Sequence, residues 1–535
     1  MRSEETPVLI AGGSIVGLST AMFLAWHGVP SVLVERHRGT SIHPRAMGLS
    51  PRSMELFRTV GLEDAVRQAD PIRVENSGIL RVRTLAGEEL GWVPTPTPED
   101  ISEISPAPWA FSAQDRVEPV IRRRAEELGA SLRFETELVR FATEAEGVTA
   151  VVRDRATGDE RTIRARWLVA ADGGRSAIRT HLGIPMRGPG TLAHAMSILF
   201  RADLSAPLRG RHFAVCYIEH PEAQGVIAAY DNDRWALGVG YVPQAGQSPD
   251  DFSEERCREL VRTCVGAPDL EMEIQAILPW ELAADVAGRF QEGSVLLAGD
   301  SAHVNPPAGA FGANTGIQDA HNLAWKLAAA AGGSAGDRLV ATYDAERRPV
   351  AELTVDQALL RNAHRGGEAG PPPGLVDDLA VMLGYSYRSE ALVEDAEPGP
   401  PLRHPREWTG QPGSRAPHVA LDRAGERLST LDLYGRRFVL VADGDGESWA
   451  RAAGPVARRL GLELDAHRLG AGLADVDGRW RRAHGVGAGG AVRVRPDGFG
   501  AWRSHTALAD PESALESALT RLLCRDAAHP AAAGV

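Results

Sequence analysis

The fold of this chain is decided by the stretch Pro7-Val8-Leu9-Ile10-Ala11-Gly12-Gly13-Ser14-Ile15-Val16-Gly17-Leu18. The apolar residues up to Ala11 predict a buried strand, the glycines a tight turn, and the residues from Leu18 onward a helix. A second strand, Val32-Leu33-Val34, ends in Glu35, about twenty residues past the glycines, where an acid binds a ribose hydroxyl. The pattern predicts a Rossmann-like α/β domain with a dinucleotide site that includes Gly12, Ser14, Ile15, Val16, Gly17 and Glu35.

The turn departs from the G-x-G-x-x-G fingerprint at one position, because Ser14 stands where a glycine usually clears room for the pyrophosphate. A serine adds only a small side chain, and its hydroxyl can donate to a phosphate, so we expect it to be tolerated. Arg45 follows the second strand and precedes a helix predicted to start near Pro51, which brings its guanidinium near the pyrophosphate charge. Gln114 lies near the start of a further predicted helix, whose N-terminus favours anions and polar ligands.

A second stretch, far along the chain, supplies the other half of the predicted site. After the apolar run Val295-Leu296-Leu297-Ala298 come Gly299-Asp300-Ser301-Ala302-His303, Pro306-Pro307 and a glycine-rich stretch from Gly309 to Gly316. A strand that ends in Gly-Asp presents a carboxylate to a polyol hydroxyl, while the glycines let backbone N–H groups approach a flat ring and open a helix. We interpret this stretch as a flavin site. The further cofactor-binding candidates are Asp172, which follows the strand Trp167-Leu168-Val169-Ala170, and Asp300, Pro307, Gly309, Gly312, Ala313 and Asn314.

From about residue 191 to residue 280 the pattern changes to alternating and aromatic segments, which predict antiparallel strands. A sheet that lies over a flavin forms a pocket in which aromatic side chains stack on a polycyclic substrate. The substrate-binding candidates are Tyr230, Trp235, Tyr241 and, from the flavin loop, Pro306. A phenol must lose or share its proton to react at carbon, so the catalytic candidates are His212, Tyr217 and Arg234. Each of these side chains also fits a place in a sheet core or on a sheet surface.

The last part of the chain predicts a separate domain. Residues 397–412 are rich in Pro and Gly and indicate a linker. The predicted strand Phe438-Val439-Leu440-Val441 and a late hairpin over 491–498 and 501–503 follow it. No Cys-x-x-Cys pair occurs in this region, so thiol–disulfide exchange lacks its chemical groups. We expect a structural domain or an interaction surface.

Composition bounds the class of protein. With 535 residues, 43% of them hydrophobic, the chain is long enough for roughly two to four domains. Its formal net charge of −13 argues against general nucleic-acid binding, because phosphate recognition requires a basic face. No apolar run approaches the roughly 18 residues of a membrane span, and Glu4 and Glu5 precede the first strand where a secretory signal is basic, so we expect a cytoplasmic protein. The four cysteines indicate neither a disulfide framework nor a metal site.

Together these motifs resemble the flavoprotein aromatic hydroxylases of the para-hydroxybenzoate hydroxylase type, and within them the polyketide hydroxylases similar to aklavinone 11-hydroxylase. One departure is Phe311, where the family commonly has a smaller residue, so we expect a reshaped loop beside the flavin. The resemblance rests on the glycine turn, Glu35-Arg36, Pro44-Arg45-Ala46, Gln114, Ala171-Asp172-Gly173, Gly299-Asp300-Ser301-Ala302-His303, Pro306-Pro307, Asn314-Thr315-Gly316, Asp319-Ala320-His321-Asn322-Leu323-Ala324-Trp325-Lys326-Leu327 and Tyr343-Asp344-Ala345-Glu346-Arg347-Arg348-Pro349.

The resemblance implies an α/β protein with three domains. A Rossmann-like FAD-binding domain, with trailing helices, is discontinuous over residues 1–75, 100–185 and 281–400. An antiparallel β-sheet substrate domain spans residues 76–99 and 186–280, and a thioredoxin-like domain spans 405–535. FAD is bound non-covalently, with Arg36 among its ligands, and NADPH or NADH reduces it. A flavin C4a-hydroperoxide then hydroxylates an electron-rich ring. The partners are O2 and a polycyclic aromatic polyketide, as in antibiotic biosynthesis, and the protein is a monomer or a homodimer.

Three other functions compete with this monooxygenase hypothesis. A Baeyer–Villiger or ring-opening oxygenation is the nearest, because the same peroxide can attack a ketone. A flavin halogenase calls for a Trp-x-Trp motif, and no two of the eleven tryptophans are so spaced. A non-catalytic binding protein on the dinucleotide fold does not need the loop from Pro306 to Gly316. The leading hypothesis is therefore an FAD-dependent NAD(P)H monooxygenase that hydroxylates a fused-ring polyketide.

Overall fold

The computed structural model describes residues 3–43, 45–69, 78–93, 99–364, 371–393 and 400–525. Three of the sequence predictions lie outside these ranges: Pro44, the domain boundary at residue 75 and the start of the linker at residue 397. Within the described ranges the chain forms two large sheets and a C-terminal group of smaller ones. No helix in this part of the chain is both long and apolar enough to cross a membrane.

The first sheet is built on the predicted strand–turn–helix–strand unit, which consists of strand Ser3–Ala11, helix Ile15–Trp26 and strand Ser31–Val34. Its parallel strands lie in the order Val295–Leu297, Glu160–Ala170, Ser3–Ala11, Ser31–Val34 and Ser131–Arg133. The carboxyl ends of parallel strands meet at one edge of a sheet, which is where ligands bind in α/β folds. Four of these strand ends are followed by residues that the sequence predicted for the site. They are Gly12, Glu35, Asp172 and the Gly299-Asp300 pair.

Further strands and helices surround this sheet. An antiparallel strand, Gln291–Glu292, lies at one edge, and the hairpin Thr136–Glu144 and Gly147–Asp154 pairs with the first half of Glu160–Ala170. A separate short pair joins Gly48–Leu49 to Ala110–Phe111. The apolar faces of several helices share one core with the strands. The helices of this part are Pro51–Thr59, Glu63–Gln68, Gln114–Glu127, Ala177–His181, Phe311–Ala331, Arg338–His364 and Asp378–Leu383.

The second sheet is the predicted antiparallel one. Its strands lie in the order His303–Val304, Glu273–Ala287, Met186–Arg201, Arg234–Tyr241, Gln224–Ala229, Val215–Glu219, Ile79–Val82 and Glu89–Val93. Only Val215–Glu219 and Ile79–Val82 run parallel among these neighbours. The helix Glu254–Val265 covers one face, and the short helix Ser205–Leu208 follows Met186–Arg201. Strand Glu273–Ala287 crosses the predicted boundary at residue 280, and the three-domain division stays a prediction.

The C-terminal region has its own sheets and cores. A four-stranded sheet has the order Leu464–Arg468, Phe438–Ala442, Ala491–Val494 and Gly500–Ser504, in which the first pair is parallel and the others antiparallel. Helices Glu447–Leu460, Trp480–His484 and Pro511–Leu522 accompany it. A smaller sheet has the order Glu426–Ser429, Ala420–Arg423 and Ala474–Asp475. The predicted late hairpin is the pair Ala491–Val494 and Gly500–Ser504, and assignment to the thioredoxin-like type stays a prediction.

Four enclosed histidines make the fold sensitive to acid. Burial lowers the pKa of His27, His418 and His484 to about 4 and that of His321 well below its ordinary value. Below about pH 6.5 the unfolded chain takes up protons that the folded chain refuses. Each of these histidines therefore lowers the free energy of unfolding by up to ~1.4 kcal/mol per pH unit as the pH falls towards 4.

Urea unfolding at pH 7.5, 6.5 and 5.5 measures this loss. The free energy of unfolding is expected to fall steeply below pH 6.5, and His484→Gln is expected to reduce that slope. A free energy of unfolding that stays level between pH 7.5 and 5.5 would contradict the prediction.

Candidate functional site

The glycine turn has no room for side chains at its first and last positions. Gly12 has φ +110°, and a Cβ built on it would lie 2.2 Å from the carbonyl oxygen of Ala171. A Cβ on Gly17 would lie 1.9 Å from the carbonyl oxygen of Gly12. Ile15 is buried at the start of the helix, whose first N–H groups receive no side-chain cap from Ser14. The turn therefore presents backbone donors at a helix N-terminus, which is an anion-binding arrangement.

Ser14 belongs to a small hydrogen-bonded cluster around Glu118. The Ser14 hydroxyl donates to Glu118 Oε1 at 2.7 Å, and Gln114 Nε2 donates to both Ser14 Oγ (2.9 Å) and Glu118 Oε1 (2.7 Å). The backbone N–H of Ser41 donates to the other oxygen of Glu118 at 2.8 Å. The proton of the Ser14 hydroxyl is thus held by Glu118, not directed to a phosphate as the sequence allowed. The cluster joins the turn to the helix that carries Gln114.

Glu35 lies against the same turn. It accepts hydrogen bonds from the backbone N–H groups of Gly13 at 2.6 Å and His37 at 2.8 Å, and 12% of its side chain is exposed. A Cβ on Gly13 would lie 2.7 Å from the Cβ of Glu35, so the second glycine is needed for this approach. Arg36 and Arg45 are exposed on the segments that follow. The acid at the second strand end is therefore placed beside the glycine turn, as the sequence predicted.

The glycine turn and the Gly-Asp loop, which lie far apart in the sequence, come together at Val16. Gly299 has φ +62°, and a Cβ on it would lie 2.6 Å from Cγ2 of Val16. A Cβ on Gly316, in the helix Phe311–Ala331, would lie 2.5 Å from the same atom. The Gly-Asp loop, the glycine turn and this helix therefore meet at contact distances that only glycine permits.

Two carboxylates line the cleft formed at this junction. The side chain of Asp300 is open to solvent, yet the protein around it raises the pKa of its carboxyl by desolvation, against the opposing charges of His303 and Arg45. Such a combination is expected of a residue on the floor of a concave site. Asp172 accepts a hydrogen bond from the N–H of Ile178 at 3.2 Å through Oδ2, while its Oδ1 is buried and has no partner among the described residues. An unpartnered buried acceptor is costly unless a ligand or water satisfies it.

The helix that starts at Phe311 also begins without a side-chain cap. Its N-cap residue is Ala310, whose φ of +55° is uncommon for a residue with a Cβ. Gly309, at φ +86°, lies against the Phe311 ring, which is buried in an apolar cluster with Ile101 and Leu379. Phe311 thus packs into the core and supports the loop from behind. Pro306 is buried and Pro307 exposed, while Gly312 and Ala313 are half-buried in the first helical turn.

The Asn314 side chain serves the protein itself. Its Oδ1 accepts from the Ser50 N–H at 2.8 Å and the Ser53 hydroxyl at 2.7 Å, and its Nδ2 donates to the carbonyls of Gly48 at 3.0 Å and Ala310 at 2.7 Å. These bonds use the amide fully and leave only its backbone to a cofactor. This corrects the sequence prediction, because Asn314 acts by fixing the start of its helix against the helix Pro51–Thr59.

A buried ionic cluster beneath the Gly-Asp loop was not predicted as part of the site. Asp319 Oδ2 accepts from the Gly299 N–H at 3.1 Å and from His303 Nε2 at 2.7 Å, and its Oδ1 accepts from Arg347 Nε at 2.8 Å. The side chains of Asp319, His303 and Arg347 are fully buried. Burial opposes ionisation of Asp319, but Arg347 and His303 hold its pKa below the usual range. The sequence signal for this cluster lay in two motifs of the family resemblance, Asp319-Ala320-His321 and Glu346-Arg347-Arg348.

Register decides which side chains of the second sheet face which way. One row across five strands packs against the helix Glu254–Val265, and it consists of Cys216, Ile227, Leu237, Ile198 and Ile277. Side chains alternate along a strand, so the next row points to the opposite face. We call this the open face, and its row consists of Tyr217, Val226, Gly238, Ser197 and Leu278.

The open face is turned toward the glycine turn. Arg234 alternates with the core residue Trp235, so it lies on the open side, where its Nη1 donates to Asp115 at 2.5 Å and its Nη2 to the Ile42 carbonyl at 2.7 Å. Asp115 is the neighbour of Gln114, which contacts the turn. The Arg234 end of this strand is therefore held beside the glycine turn.

Alternation also corrects two predicted substrate contacts. Trp235 is 4% exposed and donates through Nε1 to the Ala202 carbonyl at 3.1 Å on the core face. Tyr241 is on the same face, with its ring 5.8 Å from that of Phe252. The aromatic pattern was read correctly as a strand, but the covering helix places both rings in the core.

The remaining candidates divide between the open face and its rim. Tyr217 is half-buried on the open face, and His212 is exposed before that strand. Burial raises the pKa of Tyr230 to about 12, and Asp115 acts in the same direction, so this hydroxyl stays protonated at neutral pH. Arg234 is occupied by its bonds to Asp115 and Ile42, which suits it to hold the sheet in place and not to remove a proton.

Comparison with known proteins identifies the family. A model of an FAD binding domain matches residues 5–358, and a model of the C-terminal domain of aromatic-ring hydroxylases matches residues 409–525. The chain belongs to the FAD-dependent aromatic-ring hydroxylases. This confirms the fold class and the flavin monooxygenase activity expected from the sequence.

Relatives of this hydroxylase match it over nearly its full length. A tetracenomycin A2 monooxygenase-dioxygenase from Streptomyces glaucescens is 43% identical and covers 99% of both chains. A 4-methyl-5-nitrocatechol 5-monooxygenase from a Burkholderia species is 47% identical and covers 97% of this chain and 98% of its own. A crystal structure of aklavinone-11 hydroxylase with FAD and aklavinone is similar at a TM-score of 0.90 and 40% identity, covering 98% of this chain and 100% of that one.

The cleft of the hydroxylase fits FAD. Glycines that admit no Cβ shape the turn, and uncapped helix starts at Ile15 and Phe311 offer N–H donors to the cleft. Asp172 keeps an unpartnered buried oxygen there. Backbone donors and carboxylate acceptors of this kind suit a pyrophosphate and a polyol respectively.

Proposed function

We propose that this hydroxylase uses NADPH or NADH and O2 to hydroxylate a polycyclic aromatic polyketide, with FAD as its cofactor. We infer the substrate class from the composition of the open face. Its centre has small residues, and at one side the large apolar side chains of Leu278 and Trp280 are each 38% exposed. A flat recess with an apolar rim suits a broad fused-ring molecule.

The recess follows from the strand register. In the next open-face row, beside Gly238 and Ser197, Gly240 pairs with Ala195, and Ala195 pairs with Trp280. A Cβ on Gly238 or on Gly240 would lie 3.8 Å from the nearest heavy atom beyond its chain neighbours, so packing does not require the absence of side chains here. These glycines therefore leave space above the sheet that the fold itself does not use.

The cofactor-binding residues have distinct proposed roles. The backbone from Gly12 to Gly17 would hold the pyrophosphate, Glu35 the adenosine ribose, and Asp300 the ribityl chain. The N–H groups at the start of the helix Phe311–Ala331 would face the flavin pyrimidine, where the helix N-terminus favours negative charge. When bound, FAD supplies the redox chemistry that passes electrons from NAD(P)H to O2.

On the substrate side, the residues of this chain orient a ring and exclude water. We propose Tyr217 and Leu278, at the two ends of one open-face row, as substrate contacts, with Trp280 at the rim. Tyr230 stays protonated and would donate a hydrogen bond to a phenolic or quinone oxygen. Arg234 would act as a positioning residue that keeps the sheet over the cleft through Asp115.

A single-ring catechol is the second candidate substrate class, because the Burkholderia relative is named for one. Comparing NADPH and NADH oxidation across nitrocatechols, anthraquinones and naphthacenequinones decides between the two classes. We expect the fused-ring compounds to stimulate oxidation and to gain one oxygen atom. Selective turnover of the single-ring compounds would overturn the substrate proposal while leaving the family assignment intact.

Gly238→Leu is the sharpest change on the open face. A leucine would fill the recess without a backbone clash, so kcat/KM for a fused-ring substrate is expected to fall by about tenfold or more. FAD content and melting temperature should stay near the parent values. Gly454→Leu, on an exposed helix position of the C-terminal region, is the matched control. Equal effects of both variants, or unchanged kcat/KM in Gly238→Leu, would remove the recess from the substrate site.

We further propose that the enzyme works in the cytoplasm, where NAD(P)H is supplied, as a monomer or a homodimer. Gel filtration of the holoenzyme with light scattering distinguishes the two assembly states.

A further inference from the structure

The C-terminal region reaches the flavin cleft through buried charges. Arg495 follows the strand Ala491–Val494, and its side chain is fully buried against Glu346 of the helix Arg338–His364. Its two terminal nitrogens donate to the two oxygens of Glu346 at 2.7 and 2.8 Å, a bidentate geometry that fixes orientation as well as distance. Its Nε donates to Asp497 at 3.0 Å.

Glu346 also accepts hydrogen bonds from the helix that follows the flavin loop. Lys326 Nζ and Asn322 Nδ2, both on the helix Phe311–Ala331, donate to Glu346 Oε2 at 2.8 Å each. Asn322 donates in addition to Asp497 at 3.1 Å. Burial opposes ionisation of Glu346, but Arg495 and Lys326 hold its pKa below its ordinary range. The carboxylate is therefore ionised and shared between three segments of the chain.

The residue after Glu346, Arg347, connects this ionic cluster to the Gly-Asp loop. Arg347 adjoins Glu346 on one helix and donates to Asp319, which accepts the Gly299 N–H at 3.1 Å. Buried charge-assisted hydrogen bonds of this kind hold neighbouring elements in one arrangement. The position of Arg338–His364 relative to Phe311–Ala331 thus sets where Arg347 holds Asp319.

A second connection reaches the other side of the cleft. Arg415 donates through Nε to Glu55 Oε2 at 2.9 Å, and Glu55 also accepts from Arg52 at 3.0 Å. Arg52 in turn donates to the backbone carbonyl of Asp497 at 2.6 Å. Glu55 and Arg52 lie on the helix Pro51–Thr59, whose start is fixed to Asn314. Both connections therefore meet at Asp497.

We propose that the C-terminal region positions the flavin-binding loops, and that Arg495 is a positioning residue for FAD. Arg495 touches neither the proposed cofactor contacts nor the open face; it acts through Glu346, Arg347 and Asp319. This inference rests on FAD binding and is independent of the substrate class.

The test measures FAD affinity directly. Apo-protein of each variant is titrated with FAD, following the change in flavin fluorescence, and the absorption spectrum of the bound flavin is recorded. Arg495→Met is expected to raise the FAD Kd about tenfold, a size typical of a network residue distant from the ligand. Arg495→Lys keeps the charge without the bidentate geometry and should restore part of the affinity.

Arg493→Met is the matched control. Arg493 lies two residues earlier, within the strand Ala491–Val494. Its side chain is equally buried and makes no hydrogen bond within the described residues. Its replacement removes a buried arginine from the same region without touching the connections, so the FAD Kd should stay at the parent value. If Arg495→Met does not fold, Arg495→Met/Glu346→Gln removes both opposite charges and is titrated in its place.

Two results would overturn the proposal. One is a parental Kd and flavin spectrum in folded Arg495→Met or in the double variant. The other is an equal loss of affinity in Arg493→Met, because that would show a general effect of disturbing the C-terminal core.

Discussion

Asp319→Asn is expected to cost about 3–5 kcal/mol of stability, because it leaves the fully buried Arg347 without its counter-charge. An asparagine also replaces one of two accepting oxygens with a donor. Asp319 receives hydrogen bonds from the Gly299 N–H, His303 and Arg347, so at least one of these donors loses its partner. The Gly-Asp loop is then no longer held where Asp300 faces the cleft, and we expect FAD to be lost on purification.

Urea unfolding of the apo-protein and the flavin-to-protein absorbance ratio measure the two effects. Asp337→Asn is the control, since Asp337 also pairs with an arginine, Arg166 at 2.8 Å, but 89% of its side chain is exposed. Exposed pairs contribute ~0–1 kcal/mol, so this variant should keep its flavin and its stability. Parental flavin content in Asp319→Asn would show that the buried cluster does not support the loop.

Gly12→Ala is expected to prevent the glycine turn from forming. An alanine at φ +110° is strained, and its methyl group would lie 2.2 Å from the Ala171 carbonyl oxygen. Strain and overlap together should cost about 3 kcal/mol or more. Since this turn presents the pyrophosphate donors, FAD binding should be abolished in any protein that still folds.

Gly28→Ala separates the two causes. Gly28 has a positive φ of +76°, but a Cβ there would meet no atom within 4 Å. It carries the strain without the overlap and should cost only ~1–2 kcal/mol with full FAD binding. Melting temperatures and flavin content of the two variants check this difference. Equal losses in both would mean that the close approach to Ala171 is unimportant.

The nucleotide half of the site could be predicted because its geometry is local. Short connections join the first strand, the glycine turn and the acid at the end of the next strand, so their relative positions follow from the sequence pattern. The parallel strands bring Gly12, Glu35 and Asp172 to one edge of the sheet. Gly299 and Asp300 follow the same rule, since Val295–Leu297 is the next parallel strand.

Tertiary packing decided what the sequence left open. Arg234 and Trp235 are neighbours in one strand, and alternation alone assigns them to opposite faces without saying which face is the core. The helix Glu254–Val265 settles this by covering the Trp235 side. Asn314 and Asp319 likewise depend on partners far away in the chain, such as Ser53 and Arg347, so their roles appear only when the helices are assembled.

Incorporation of ¹⁸O from ¹⁸O2 measures whether the enzyme hydroxylates an aromatic ring of a fused-ring substrate. The holoenzyme is incubated with a naphthacenequinone and either NADPH or NADH, and the product is analysed by mass spectrometry and its ring structure by NMR. We expect one ¹⁸O atom in a new phenolic hydroxyl, formed only with FAD and the reductant present. A label found in a lactone ring, or reductant oxidation with no label in any ring compound, would contradict aromatic hydroxylation of a fused-ring substrate.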